Sequence, residues 1–268
     1  MMDHGKKNIL GVLIDAVDYD AAVQRIIHAA KSRIRYTVTA LAVHGVMTGV
    51  EDKKHRHRLN EFDLIVPDGQ PVRWAINRLH GCGLPDRVYG PNLMLQVCEA
   101  AARDGLPIFL FGATQEILDR LEANLLAKFP SLKIAGKRPS QFKTLDDSAF
   151  QSLADSIVQS GAAITFAGIG CPRQEVWAWE MGDRLKMPIL AVGAAFAFHA
   201  GKLSQAPKWM QDRGLEWLYR LLCEPTRLWK RYLLLNPAYL SLLALQRLGL
   251  KKFDPAQTER PATSVLYG

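Results

Sequence analysis

Short, mostly apolar runs alternate along this chain with stretches whose apolar residues recur at helical spacing. Residues 107–111 (Pro-Ile-Phe-Leu-Phe) form one such run and end at Gly112. The stretch that follows, 115–128, places Ile117, Leu118, Leu121, Leu125 and Leu126 on one face of a helix. Residues 162–167 repeat the arrangement, ending at Gly168 and Gly170 before a helical pattern over 174–186. Run 188–192 ends at Gly193, run 62–66 ends at Pro67-Asp68-Gly69, and 36–39 begins a further candidate strand. Apolar runs without alternation are buried on both faces, the condition of a parallel sheet sandwiched between helices. The pattern predicts an α/β fold with a Rossmann-like parallel sheet. Ligands of such sheets bind beyond the carboxyl ends of the strands. Asp68, Gly112, Gly168, Gly170 and Gly193 are therefore expected around one crevice.

Past Gly201 the texture changes. Residues 214–222 are amphipathic, Pro225 interrupts them, and 228–246 are rich in Leu, Tyr and Trp. The stretch 232–250 would span about 28 Å as a helix, but it contains Asn236, Pro237, Gln246 and Arg247. It predicts an interfacial helix pair lying on a membrane rather than a spanning helix; an amphipathic pair capping the core is the other reading. The expected division is an α/β core over 1–201, a basic amphipathic appendage over 202–252, and a polar disordered tail over 253–268.

Charge sharpens this division. The 268 residues carry +8, yet ten basic residues against three acidic ones between Lys202 and Lys252 supply +7 of it. A basic pole of this kind attracts a polyanion: nucleic acid, an anionic membrane face or a phosphorylated substrate. A composition of 49% apolar and 22% charged residues excludes disorder. The start of the chain lacks the pattern of a secretory signal. Cys82, Cys98, Cys171 and Cys223 form no CxxC pair and read as reduced thiols of a cytoplasmic protein.

Several motifs carry candidate chemistry. Asp68 stands at a strand's ligand end, where a carboxylate can serve as general base; spacing alone favours a plain Asp-Gly turn. The strand-end glycines could cradle phosphates, although neither GxGxxG after a strand nor GxxxxGK[ST] occurs. In 170–175 (Gly-Cys-Pro-Arg-Gln-Glu), Arg173 and Gln174 fall at a helix start, which suits an anion or ordinary capping. His55 and His57 are read as a solvated basic patch rather than a metal pair. Asp18-Tyr19-Asp20 is expected to cap a helix over 21–30, and no nucleophile role is expected of Cys171. No metal site is predicted.

Taken together, the motifs resemble a known family. Val66-Pro67-Asp68-Gly69 followed by Asp86-Arg87-Val88-Tyr89-Gly90-Pro91-Asn92-Leu93-Met94 resembles the "PDG … RVxGxDLM" block of the WecG/TagA/CpsF glycosyltransferases. Phe109–Ala113, Gly168–Glu175, Val192–Phe196, Ala206-Pro207, Gly214–Arg220, Glu224-Pro225 and Arg227 are similar to its other signatures, in order, from about residue 8 to residue 235. The resemblance implies an inverting, metal-independent transferase without a cofactor. It would move a hexose or N-acetylhexosamine (glucose, N-acetylmannosamine or a relative) from a UDP-sugar to a polyprenyl-diphosphate-linked saccharide. It would act at the cytoplasmic face of the bacterial plasma membrane, in cell-surface polysaccharide or exopolysaccharide assembly.

By the same resemblance Asp68 is the base, and Thr39, Arg87 and Gln174 join the strand-end glycines in binding substrate. Arg220, Arg227, Lys230 and Arg231 would meet the acceptor diphosphate and the anionic membrane surface. Nucleic acid is not an expected partner, and a homo-oligomer is left open. Two positions depart from the family pattern: Ala42 stands where Asn is usual, and Ala197 where Asp is usual. They give weight to an alternative, a non-catalytic UDP-sugar-binding or scaffold paralogue.

Overall fold

The structure, a computed structural model of residues 1–268, describes the whole backbone and every side chain except those of Arg227, Lys230 and Arg231. The chain opens with an antiparallel hairpin, β1 (Asp3–Ile9) and β2 (Val12–Val17), turned by Leu10 and Gly11 at φ 56° and 87°. Asp18 then accepts from the Ala21 amide at 2.9 Å and caps α1 (Tyr19–Ser32), as its position predicts. There follow β3 (Tyr36–Leu41), α2 (Val43–Glu51), α3 (Lys53–Asn60), β4 (Leu64–Pro67), α4 (Gln70–His80) and α5 (Gly90–Arg103). Next come β5 (Ile108–Gly112), α6 (Gln115–Lys128), β6 (Ile134–Arg138), α7 (Asp147–Gln159), β7 (Ile164–Gly168), α8 (Arg173–Leu185) and β8 (Pro188–Ala191). Helices α9 (Ala195–His199), α10 (Lys208–Asp212), α11 (Glu216–Cys223) and α12 (Pro225–Arg247) complete the order.

Six strands form one parallel sheet in the order β4-β3-β8-β7-β5-β6. The apolar runs explain it directly. Along β5, Ile108 and Leu110 pack into one core while Phe109 and Phe111 pack into the other. Neither face could be left to water. Phe111 stacks on Trp177 of α8, with ring centroids 4.3 Å apart. The pairings Leu41↔Pro67, Thr39↔Ala191, Ala167↔Ala191 and Gly112↔Gly168 bring five strands to a common carboxyl edge.

The C-terminal helices are tied to this body. Tyr239 is buried and its hydroxyl donates to the Pro71 carbonyl at 3.4 Å, while Leu235, Leu242 and Leu243 pack on the core. Gln246 receives the Leu10 amide at 3.0 Å and donates to the Asn8 carbonyl at 3.1 Å, clamping the end of α12 to the hairpin. Pro237 lies inside α12. Among the described residues no helix is long and apolar enough to cross a membrane.

Two expectations fail here for identifiable reasons. Residues 253–268, read as a disordered tail, run back over the body. Phe253 packs on the core and its carbonyl accepts from Asn8 at 2.6 Å; Leu266 is buried, and the Gly268 carbonyl accepts from the Gln141 and Phe142 amides at 2.9 and 3.0 Å. The segment has apolar anchors at both ends, and its Gly268 and Gln257 carbonyls accept from the buried Ser140 hydroxyl and Arg56 guanidinium, which would otherwise be orphaned.

The basic run at α3 is exposed at Lys53 and Lys54 but not solvated beyond them. His55 is 2% exposed, Arg56 reaches the Gln257 carbonyl, and Arg58 lies 5.6 Å over the Trp179 ring. Burial, then Arg58, pushes the His55 pKa down to about 4.

Candidate active site

Residues just past the strand tips line a cavity of about 670 Å³. Ala42 follows β3, Asp68 follows β4, Ala113 follows β5, Ile169 and Gly170 follow β7, and Val192 and Gly193 follow β8; all border it, together with Gly168 at the end of β7. Gln174 and Arg220 contribute from α8 and α11. The parallel sheet puts them together because every strand ends at the same edge.

Asp68 is half-buried at the cavity wall. Its Oδ1 accepts from the Gly90 amide at 2.6 Å, at the N-terminus of α5. Gly90 permits this approach: a Cβ there would lie 3.1 Å from Ala40 Cβ and 3.4 Å from Asp68 Oδ1. Burial raises the Asp68 pKa to about 6; Arg87 opposes the rise and Glu216 adds to it. A carboxylate so poised is ionised at neutral pH yet holds a proton better than an exposed one, as a general base requires.

Arg87 joins Asp68 to the C-terminal helices. Its guanidinium donates to the Asp68 carbonyl at 3.2 Å and to Gln211 at 3.1 Å, pairs with Glu216 at 2.7 Å, and covers the Tyr89 ring at 4.2 Å. Burial works against its charge, but Glu216 and Asp68 hold its pKa above the ordinary value. Glu216 and Arg220, four residues apart on α11, face the same way. Both border a throat of about 90 Å³ beside the cavity, which Asp68, Arg87 and His44 also line.

Beneath the cavity lies a buried polar cluster. Glu175 Oε1 accepts from the Thr39 hydroxyl at 3.0 Å and from the Gln174 amide at 2.8 Å. Burial raises the Glu175 pKa, with Gln174 and then Thr39 among the groups that oppose it. Gln174 is thereby fixed against Gly193, where a Cβ would meet the Gln174 Oε1 at 3.0 Å.

The expected site residues thus divide. Asp68, Gln174, Gly168, Gly170, Gly193 and Arg220 line the cavity, and Arg87 lines the adjoining throat. Thr39 does not face it: the residue is fully buried in a central strand and acts on Gln174 only through Glu175. Gly112 lies behind the wall, where a Cβ would come 2.9 Å from the Gly168 backbone, so its φ of 109° serves strand packing.

Arg173 turns away, stacking 5.8 Å over Tyr267. The side chains of Arg227, Lys230 and Arg231 lie outside the described residues. Glu216 and His44 are lining residues that motif reading did not single out. The signal for Glu216 was an acid one helical turn before Arg220. Among the described residues no three His, Cys, Asp or Glu side chains stand close enough to share a metal ion. Ala42 and Ala197, singled out by the resemblance, both face the cavity.

The fold and crevice define an open parallel α/β protein whose ligand site is built on its strand tips. Residues 7–253 match the Glycosyl transferase WecG/TagA/CpsF family, and the chain belongs to it. A glycosyltransferase family implies a sugar donor and an acceptor as substrates.

Proposed function

We propose that the chain is an inverting transferase that takes a hexose or N-acetylhexosamine from a UDP-sugar to a polyprenyl-diphosphate-linked saccharide, without a metal or other cofactor. The observation that carries this reading is the Asp68 carboxylate, held by the Gly90 amide at 2.6 Å, facing the cavity with a pKa near 6. Asp68 accepts the proton of the acceptor hydroxyl as that oxygen attacks the anomeric carbon. The bond from that carbon to the β-phosphate oxygen breaks, and its electron pair leaves with UDP. Attack opposite the leaving group inverts the anomeric centre. Main-chain amides of 168–170 are available to meet the charge that develops on the departing UDP, which leaves the Arg220 guanidinium to the acceptor's diphosphate.

The same reading places the protein at the inner membrane face through residues 202–252. Among the described residues, eight of the fourteen exposed large apolar ones fall there, including Trp209, Leu222, Leu234 and Leu248, on the segment that holds most of the net charge. Apolar side chains interleaved with cations suit an anionic bilayer surface.

A second reading, a sugar-nucleotide-binding protein without turnover, is favoured by Ala42 and Ala197, which face the cavity without a polar group. A screen of UDP-sugars against a short-chain lipid-diphosphate saccharide, set beside UDP calorimetry, separates the two. Transfer with an inverted product anomer supports the enzyme. UDP binding without transfer from any sugar selects the second reading.

A further inference from the structure

A second cavity, of about 590 Å³, lies between α4 and the α10–α12 segment. Trp74, Leu79, Trp217, Leu240 and Leu243 make its walls, and Tyr239 also borders it. The wall is formed by close backbone approach: Gly214, at φ 70°, lies where a Cβ would come 2.7 Å from the Trp74 ring. Among the described residues no acidic side chain lines this groove, while Arg78, Arg213 and Arg247 do. It is open to solvent, with Trp74 38% and Leu240 61% exposed. Apolar and aromatic walls with a few placed polar groups are the usual lining of a small-ligand site.

The groove is continuous with the site. Val43, Pro71, Gly214, Trp217 and Asn236 border both it and the throat that holds Asp68, Arg87 and Arg220. Moving outward from the cavity, the chain therefore presents the Asp68 carboxylate, then the Arg87–Glu216 pair with the Arg220 guanidinium, then a mainly apolar trough with further arginines among its lining. That order is complementary to one molecule: a hydroxyl-bearing head, a diphosphate and a hydrocarbon chain. A peptide would need rows of backbone partners, and the groove offers the Asn236 amide among arginines and apolar walls.

We propose that this groove binds the phosphate-proximal isoprenyl units of a polyprenyl diphosphate, with the diphosphate in the throat beside Arg87 and Arg220. The assignment rests on the acceptor class given under Proposed function. The hydrocarbon then fixes the depth at which the acceptor saccharide meets Asp68. Each buried methylene strengthens binding by about fourfold, so one seated isoprenyl unit is enough to decide affinity.

The test is photo-crosslinking of the full chain with a benzophenone-bearing farnesyl diphosphate, in detergent-free buffer, competed by unlabelled farnesyl diphosphate or by phosphatidylglycerol vesicles. Label is expected on α4 or α12, at or beside Trp74, Leu240 and Leu243, displaced by farnesyl diphosphate. Leu240→Glu should weaken farnesyl diphosphate binding about tenfold or more, and Leu240→Met should restore it. Label elsewhere, undiminished affinity in Leu240→Glu, or displacement by the vesicles alone overturns the assignment. The readout needs no turnover: label in the groove without any transfer would sink the enzyme reading alone, and transfer with label elsewhere would sink the groove alone.

Discussion

Glu216 on α11 pairs with Arg87 at 2.7 Å, and the two side chains are only 14% and 8% exposed. The pair crosses from the C-terminal helices to the loop before α5, and Arg87 continues it to the backbone of Asp68. It is thus both a structural tie and a source of the field at the candidate base. Removing one partner of a buried pair leaves the other charge uncompensated, at a cost of about 3 kcal/mol. Glu216→Gln is expected to lower the thermal midpoint. Because Glu216 raises the Asp68 pKa, the same variant should also move the acid limb of the pH–rate profile downward. An acid limb unchanged or moved upward would show that Glu216 does not act on Asp68.

The strained proton affinity of Asp68 has a measurable consequence for folding. With a folded pKa of about 6 against 3.8 for an ordinary carboxylate, the folded state holds the proton more tightly between those values. Stability from this group is greatest below pH 4 and is lost as pH rises through 6, by up to about 3 kcal/mol. Asp68→Asn keeps an acceptor for the Gly90 amide and removes the charge. It should be more stable than the parent in denaturant titrations above pH 6, with the gap closing toward pH 4. A variant less stable than the parent at pH 8 would contradict the assigned burial.

His55 has the opposite sign. Its folded pKa of about 4, against 6.5 for the ordinary imidazole, means that the unfolded chain takes up a proton first. Its contribution is intact above pH 6.5 and falls away as pH drops toward 4, by up to about 3 kcal/mol. His55→Gln should flatten the acid slope of stability in that window. An unaltered slope would mean that His55 is solvated after all.

These features were unequally visible in sequence. The sheet was legible because burial on both faces erases alternation, and the helix expected over 115–128 coincides with α6. Asp18 was legible as a cap because the interaction spans three residues. The hairpin was not, since β1 reads Asp-His-Gly-Lys-Lys-Asn-Ile, and neither was β6, an edge strand of half-buried residues that ends Lys-Arg. Long-range pairing also escapes a linear reading: Glu216 meets Arg87, Gln246 meets the hairpin, and the 253–268 segment covers α3. Motif spacing located Asp68, Gln174 and Arg220 at the cavity, but it could not tell that Thr39 points beneath the floor rather than into it.

Thr39 therefore acts by positioning. Thr39→Val removes one of the hydrogen bonds to the Glu175 carboxylate and should cost about 1–3 kcal/mol of stability. With Gln174 loosened, donor KM should rise more than kcat falls, and Thr39→Ser should restore both. A loss of stability without any change in KM would reduce Thr39 to a packing residue.

The central claim is that the carboxylate held by Gly90 takes the acceptor's proton. The most direct measurement is single-turnover transfer by Asp68→Asn alongside UDP calorimetry. A rate lowered by about a hundredfold or more is expected while the UDP dissociation constant stays within about threefold. Transfer at the parent rate would contradict the claim.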